Sequence, residues 1–297
     1  MAADVSYKEI HYEVQDGRAR ITLARPDKHN AITTPMLDEL EHALWKADDD
    51  RSVHCVVLRG QGPSFCSGYD LTALPRRSPE SGLRTGRSHD DDIWLIERNN
   101  RRIRALWETH KPSIAQVHGA CLAGGTDLAL ACDMVIAADN ARIGFPAARS
   151  LGALPNNLWL YHCGPQWAKR LQLTGDSVSG ADAASIGLVM KAVPAEFLEA
   201  EVEHLARRLC KIDPDLLAAN KRIINLGLEL MGAQVLQRLA AENDARAHHA
   251  AAVREFGPSV REHGLKETLR RRDEPFGEGV AHVTRPDTDT NPREPKA

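Results

Sequence analysis

The chain lacks the features that mark membrane, disulfide-rich and nucleic-acid-binding proteins. None of its apolar runs reaches the ~18 residues that a membrane-spanning helix needs. Its 38 basic and 41 acidic residues nearly cancel, to a formal net charge of −3, which disfavours binding by phosphate neutralisation. Its six cysteines include no CxxC pair, and the amino-terminal residues lack a basic segment followed by an apolar one. We therefore expect a cytoplasmic protein with reduced thiols, no membrane span and no nucleic-acid partner.

Several catalytic motifs are absent as well. The sequence has no GxSxG elbow, no Walker phosphate loop, no GxGxxG fingerprint and no cluster of residues with metal-ligand spacing. Hydrolase, nucleotide-dependent and metal-dependent chemistry therefore have no support, and we expect no metal. Cys66 stands beside a glycine loop, but no motif places a base next to it, which favours a buried thiol over a nucleophile.

What the sequence contains is a succession of strand and helix patterns. "YKEIHYEV", "QDG" and "RARITLA" predict a β-hairpin, and an amphipathic helix follows with Thr34 as N-cap and Pro35 at its first position. "VHCVVLRG" and "KPSIAQVHG" are typical of strands buried on both faces, whereas residues 72–92 predict a long exposed loop. Helical patterns dominate after about residue 164. This order predicts an α/β core with a helical C-terminal region.

Two glycine-containing segments each follow a predicted buried strand. "GPSFCSGYDL" places Gly68 before Tyr69, and "HGACLAGGTDLALACD" places Gly124 and Gly125 at a helix start with Asp127 in its first turn. Taken singly, the first glycine is typical of a turn and the acid of a helix-end carboxylate. N–H groups at a helix start also favour anions or a developing oxyanion. If the two strands are neighbours, one N–H from each loop can converge on one carbonyl oxygen beside Asp127.

The chain resembles the crotonase superfamily, typified by enoyl-CoA hydratases and isomerases, from about residue 7 to about residue 272. The stretches that carry the resemblance are "LARPDKHNAIT", "GPSFCSGYDL", "HGACLAGGTDLALACDMVIAADNARIGFP" and "LTGDSVSGADAASIGLVMKAVP". It implies an α/β, crotonase-like (ClpP/crotonase) spiral of ββα units over residues 1–195 that holds the acyl-CoA site. It further implies a helical C-terminal region over residues 196–272 that forms homotrimers or hexamers. We expect residues 273–297 to be a disordered tail.

The resemblance also implies roles for individual residues. The backbone N–H groups of Tyr69 and Gly124 would form an oxyanion hole for the thioester of an acyl-CoA substrate. No other cofactor is implied, since coenzyme A is part of the substrate. The positions that match the family's CoA-binding turn and oxyanion loops are Arg25, Lys28, Ala31, Ser67, Gly68, Tyr69, Asp70 and Gly124. Each of the side chains in the turn is equally typical of a surface turn without ligand.

The sequence departs from the hydratases at the acid–base positions. Asp127 stands where the family usually has Glu, which keeps the carboxylate on a shorter arm, but Ala147 stands where hydratases have a second acid. Arg149 stays protonated and cannot act as a base. His118 and His162 are within plausible reach in sequence, but a single His in an apolar context is more often structural.

A hydratase needs one group to activate water and another to protonate the α-carbon. With Asp127 as the sole recognisable acid–base group, the sequence favours isomerase-like proton transfer through a thioester enolate over hydration. The alternative is an acyl-CoA-binding homologue that lacks efficient catalysis.

Overall fold

The computed structural model of the chain describes residues 6–72, 88–284 and 286–287. The strands are β1 Ile10–Gln15, β2 Arg18–Leu23, β3 Cys55–Gly60, β4 Ser113–Val117, β5 Ala120–Leu122, β6 Met134–Ala138, β7 Arg142–Gly144, β8 Ser177–Ser179 and β9 Lys191–Val193. The helices are α1 Thr34–Asp49, α2 His89–Glu108, α3 Gly124–Ala131, α4 Trp159–Thr174, α5 Gly180–Ser185, α6 Leu198–Leu209, α7 Pro214–Leu230, α8 Ala233–Ala247, α9 Ala251–His263 and α10 Leu265–Asp273. Within these described ranges, no helix is long and apolar enough to cross a membrane.

A six-stranded sheet in the order β1-β2-β3-β4-β6-β9 forms the centre of the core. β1 and β2 make the predicted antiparallel hairpin, whose turn holds Asp16 and Gly17 at φ 49° and 79°, the left-handed conformation that suits an Asp-Gly turn. The remaining neighbours pair in parallel. β4 is buried throughout and β3 over most of its length, as their continuous apolar runs predict. Because these two strands are adjacent and parallel, the loops that follow them emerge at the same edge of the sheet.

Two consecutive units repeat the order strand, strand, helix. β4 lies in the large sheet, β5 lies in a smaller sheet of order β5-β7-β8, and α3 follows; β6, β7 and α4 repeat the arrangement. This is the ββα repeat that the resemblance implies. α3 contacts β4, β5 and β6, so its N-terminus is held at the end of the sheet from which both glycine loops emerge.

Two predicted helix boundaries are wrong. The N-cap of α1 is Thr33 and not Thr34, because Thr33 is extended and its Oγ1 accepts the N–H of Met36 at 3.1 Å. α2 begins at His89, inside the predicted loop 72–92, because Ser88 caps it by accepting the N–H of Asp91 and acidic residues fill its first turn. Residues 73–87 of that predicted loop lie outside the described residues.

The first part of the predicted disordered tail packs against the core. The guanidinium of Arg149 lies 4.0 Å from the centre of the Phe276 ring, Ser177 pairs with Val280 in a β-bridge, and Ala281 is fully buried. A few apolar side chains are therefore enough to dock a segment whose composition is otherwise polar. Residues 288–297 lie outside the described residues.

Candidate active site

The two glycine loops meet in the structure. Cys66 in the first and Cys121 in the second pair through a parallel β-bridge. Beyond that bridge the backbones approach closely: a Cβ added at Gly68 would lie 2.9 Å from the Cβ of Ala123 and 3.3 Å from the amide nitrogen of Gly124. The structure thus brings together the two segments that the sequence analysis singled out.

Close packing explains why glycine occupies these positions. A Cβ on Gly124 would lie 2.7 Å from Cε2 of Tyr69, and a Cβ on Gly125 would lie 2.3 Å from the carbonyl oxygen of Cys66. Gly68 has a φ of +102°, which side chains rarely adopt. The glycines therefore let one loop lie directly on the other.

Backbone N–H groups at this junction are available to a ligand. Ile32 donates its N–H to the carbonyl of Gly68 at 2.8 Å and accepts the N–H of Asp70 at 2.9 Å, a parallel pairing that directs the intervening N–H of Tyr69 the other way. Gly124 begins α3, and Ala123 before it provides no side-chain cap. Across the described ranges neither the Tyr69 nor the Gly124 amide has a backbone acceptor. Two such donors, one of them at a helix start, suit a developing oxyanion.

Asp127 lies in the first turn of α3, as the sequence predicted, and it is buried. It is 1% exposed, and neither of its carboxylate oxygens has a hydrogen-bond partner among the described residues. Burial raises its pKa well above the usual value for aspartate, and the negative charge of Asp244 raises it further. A carboxylic acid in this setting retains its proton more readily than a surface aspartate.

Asp244 is a second carboxylate that the sequence analysis did not single out. It lies on α8, is 6% exposed, and its Oδ1 accepts the N–H of Ala153 at 2.9 Å. Burial raises its pKa to about 6, against the opposing effects of His248 and of the Ala153 N–H. Its charge also raises the pKa of Tyr69, after burial and Asp127, so the three side chains share one electrostatic environment.

A histidine connects Asp244 to α2. His248 Nε2 lies 3.5 Å from Asp244 Oδ1, and its Nδ1 hydrogen-bonds to Asp92 Oδ2 at 2.6 Å. The one signal for this cluster in the sequence is the spacing of Asp244 and His248 by one helical turn, i and i+4, on the charged segment "AENDARAHH". Asp127 and Asp92 are far from that segment in sequence, so only the packing of α8 on α2 brings the groups together.

Hydrogen bonds and an ion pair hold the turn after β2, which carries several expected CoA-binding residues, against the first glycine loop. Ser67 donates its N–H to the carbonyl of His29 at 3.0 Å, which ties the turn after β2 to the first glycine loop. Arg25 Nη2 contacts Asp70 Oδ2 at 2.9 Å and another of its nitrogens donates to the carbonyl of Ala31. Burial raises the pKa of Asp70, but hydrogen bonds from Thr72 and Arg25 outweigh it and lower the pKa. These side chains therefore fix the turn, and Lys28 remains exposed on it.

The site has no acid at the second hydratase position. Ala147 lies in a short 3₁₀ helix, Pro146–Arg149, and is only partly buried against the core. Arg149 is turned away, since it binds Asp176 at 2.8 Å and Asp273 at 3.0 Å. Arg149 thus anchors the C-terminal segment.

The other candidate groups have structural roles. His118 Nε2 hydrogen-bonds to the carbonyl of Gly62 at 2.8 Å and His162 Nε2 to the carbonyl of Leu130 at 3.3 Å, and burial lowers the pKa of His162. Burial raises the pKa of Cys66 to about 12, despite an opposing backbone hydrogen bond, so its thiol stays protonated.

Comparison with known proteins gives a consistent result. Residues 13–275 match the family model described as enoyl-CoA hydratase/isomerase. The chain is 31% identical over 230 residues to a crotonyl-CoA hydratase from Syntrophomonas wolfei, covering 76% of this chain and 84% of that protein.

Two solved structures are similar over nearly their whole length. The crystal structure of an enoyl-CoA hydratase from Mycobacterium smegmatis superposes with a TM-score of 0.86 at 35% identity, covering 94% of this chain and 100% of that one. The crystal structure of an enoyl-CoA hydratase/isomerase from Xanthobacter autotrophicus Py2 superposes with a TM-score of 0.84 at 35% identity, covering 91% of this chain and 99% of that one.

Proposed function

The chain belongs to the enoyl-CoA hydratase/isomerase family and has the crotonase-like fold, and from that premise we propose that it processes an acyl-CoA thioester by stabilising the enolate. The observation that supports this proposal most directly is the junction of the two glycine loops. There, the amides of Tyr69 and Gly124 have no backbone acceptor within the described residues, and the unpartnered carboxyl of Asp127 is buried one helical turn away.

The chemistry follows from those groups. Removal of a proton from the α-carbon of a thioester moves negative charge onto the carbonyl oxygen, and each backbone donor stabilises that charge by about 3–4 kcal/mol. Asp127 takes part in this proton transfer. Because Ala147 supplies no acid at the second hydratase position, we favour isomerase-like movement of a double bond over the addition of water.

The nucleotide of the substrate lies, in this proposal, over the turn formed by Arg25 and the loop Ser67–Asp70. Support comes from the hydrogen bonds that hold the two segments side by side. Lys28 and Arg25 supply positive charge next to the diphosphate. Coenzyme A enters as part of the substrate.

We also propose that the protein assembles into a homotrimer or hexamer through its C-terminal helices. α7 buries only Lys221 within the described chain, although much of its sequence is apolar. Large side chains exposed on α7 and the start of α8 include Leu216, Ile223, Ile224, Leu226, Leu230, Met231, Val235 and Leu239. A surface of this size normally packs against a partner.

Exchange of α-protons in D₂O tests the enzymatic proposal. A panel of saturated and unsaturated acyl-CoA esters is incubated with the wild type, with Asp127→Asn and with Asp49→Asn, a control at an exposed position on α1. We expect α-proton exchange with at least one ester, a loss of about 100-fold or more in the rate of double-bond migration in Asp127→Asn, and no change in the control. The absence of exchange in the wild type with every ester would contradict the proposal.

A second candidate function is favoured by Ala147: a protein that binds acyl-CoA without efficient catalysis. Calorimetric titration of acyl-CoA into the wild type and Asp127→Asn, with turnover assayed alongside, separates the two. Equal binding with no turnover in either protein supports the binding function, whereas turnover lost only in the variant supports the enzyme.

A further inference from the structure

We propose that Asp244 is the second proton-transferring carboxylate of this site and replaces the acid that is missing at Ala147. The inference rests on the proposed enolate chemistry and extends it from one carboxylate to two. It assigns a catalytic role to α8, a helix of the region expected only to mediate assembly.

Packing fixes the position of Asp244. Ala241 and Ala245, on either side of it along α8, are fully buried against Ile96 of α2, and their small side chains let the two helices approach. Asp244 is then held by the N–H of Ala153. Gly152 next to it is required, because a Cβ there would lie 2.4 Å from Asp244 Oδ1.

The same contact connects Asp244 to the loop in which the hydratase acid is missing. The N–H of Leu151 donates to the carbonyl of Ala147 at 2.8 Å, so the chain turns directly from Ala147 to the backbone that holds Asp244. A carboxylate on α8 thus contacts the segment that carries an acid in hydratases. The charge of Asp244 raises the pKa of both Asp127 and Tyr69, so the three side chains interact electrostatically.

The two acids have different surroundings, which favour different protonation states and therefore different roles. Asp244 accepts a backbone N–H and faces His248, both of which favour its charged form, while Asp92 opposes it. Asp127 has no hydrogen-bond partner among the described residues and feels the charge of Asp244, so it keeps its proton. These surroundings favour an ionised Asp244 beside a protonated Asp127.

With a β,γ-unsaturated thioester the step balances as follows. Asp244 takes a proton from the α-carbon, and the electron pair of that C–H bond forms the enolate, whose oxygen accepts the N–H groups of Tyr69 and Gly124. The double bond moves to the α,β position as the γ-carbon takes the proton of Asp127. Asp244 ends protonated and Asp127 ionised, and transfer of one proton back to Asp127 restores the pair.

His248 lies where it can accept the proton that Asp244 releases. Its Nδ1 hydrogen-bonds to Asp92, and its Nε2 lies 3.5 Å from Asp244 Oδ1. The His248 side chain is partly exposed, so it connects Asp244 to solvent. His248 is thus a positioning and relay residue.

Substitution of Asp244 tests the inference. We expect Asp244→Asn to lower kcat for double-bond migration by about 100-fold or more and to remove the acidic limb of the pH–rate profile near pH 6, with acyl-CoA affinity within about threefold. Glu242→Gln removes a carboxylate from an exposed position of the same helix and serves as the matched control, with no expected change. Gly152→Ala should also lower kcat, because it displaces Asp244 without removing its charge.

A second readout does not need turnover. Carbon-13 NMR of the aspartate side chains should show that Asp244→Asn lowers the pKa of Asp127, because the like charge has gone. If the wild type turns over and Asp244→Asn matches Glu242→Gln in kcat, pH profile and Asp127 titration, the inference is wrong and the proposed function stands. If the wild type neither turns over nor exchanges α-protons with any ester, the proposed function fails, and the inference fails with it.

Discussion

Asp127→Asn is the most informative single substitution in this protein. Asparagine has the shape of aspartate but cannot ionise or take up a proton. Neither oxygen of Asp127 has a hydrogen-bond partner within the described chain, so the change removes no such contact. Any effect on stability therefore reports the cost of the buried carboxyl itself, and any effect on turnover reports its chemistry.

The size of the stability effect follows from the direction of the pKa shift. Burial and Asp244 raise the pKa of Asp127 in the folded protein above the ~3.9 of an unfolded chain. The folded state then binds the proton more tightly than the unfolded state, so the wild type loses stability as pH rises from about 4 up to the folded pKa. The loss approaches about 1.4 kcal/mol per pH unit in that window. Between pH 5 and pH 7, Asp127→Asn should therefore gain up to about 2.7 kcal/mol relative to the wild type.

Urea unfolding followed by tryptophan fluorescence, at pH 5, 6 and 7, measures this difference. Asp244 is present in both proteins, so its own contribution below about pH 6 cancels in the comparison. Asp49→Asn, at an exposed position, should show no pH-dependent difference from the wild type. A free-energy difference between the wild type and Asp127→Asn that is the same at pH 5 and pH 7 would mean that Asp127 ionises as it does in the unfolded chain, and the argument for its buried, protonated state would be refuted.

Three further substitutions, the first paired with a control, test other parts of the structure. Gly124→Ala should push away the aromatic ring packed on it and lower kcat/KM by about 100-fold, as loss of an oxyanion donor does. Gly227→Ala, which has open space around it, should leave activity unchanged and stabilise the helix by about 0.5–1 kcal/mol. Steady-state kinetics and melting curves check both expectations. Arg25→Gln should raise KM for acyl-CoA several-fold while leaving KM for the same acyl group on N-acetylcysteamine unchanged, and an equal rise for both thioesters would exclude a role at the nucleotide. Ile224→Glu, at a side chain that is 65% exposed, should yield monomers in sedimentation velocity, and an unchanged sedimentation coefficient would exclude assembly through α7.

The sequence predicted much of the core because short-range patterns determine it. Alternation and an Asp-Gly turn predicted the first hairpin, and continuous apolar runs predicted β3 and β4 as buried strands. The two glycine loops were found because close backbone approach leaves a strict signature. A Cβ at Gly124 or Gly125 would clash with the facing loop, and the resulting pair of glycines can be recognised in a single sequence.

Long-range packing and boundaries were harder to predict. The start of α1 was displaced by one residue because two consecutive threonines both precede Pro35, and only the hydrogen bond to Met36 shows which of them is the cap. The docking of residues 274–281 depends on Phe276 and Ala281, which are isolated in a polar segment. Asp244 was missed because a charged residue on an amphipathic helix is normally solvated, and only the approach of α8 to α2 reveals that it is buried.

Because Asp244 lies on α8, the proposed chemistry depends on the position of a C-terminal helix as well as on the core. Asp127 is held by α3 inside the core, whereas its proposed partner is held by α8, whose position depends on its packing against α2 and α7. α7 in turn buries little more than Lys221 against the rest of the described chain and exposes a row of apolar side chains. If that row is covered by a neighbouring subunit, assembly stabilises α7, against which α8 packs. Loss of assembly should then reduce the proton transfer that needs both acids. The oxyanion hole should be unaffected, because Tyr69 and Gly124 are held by the core alone.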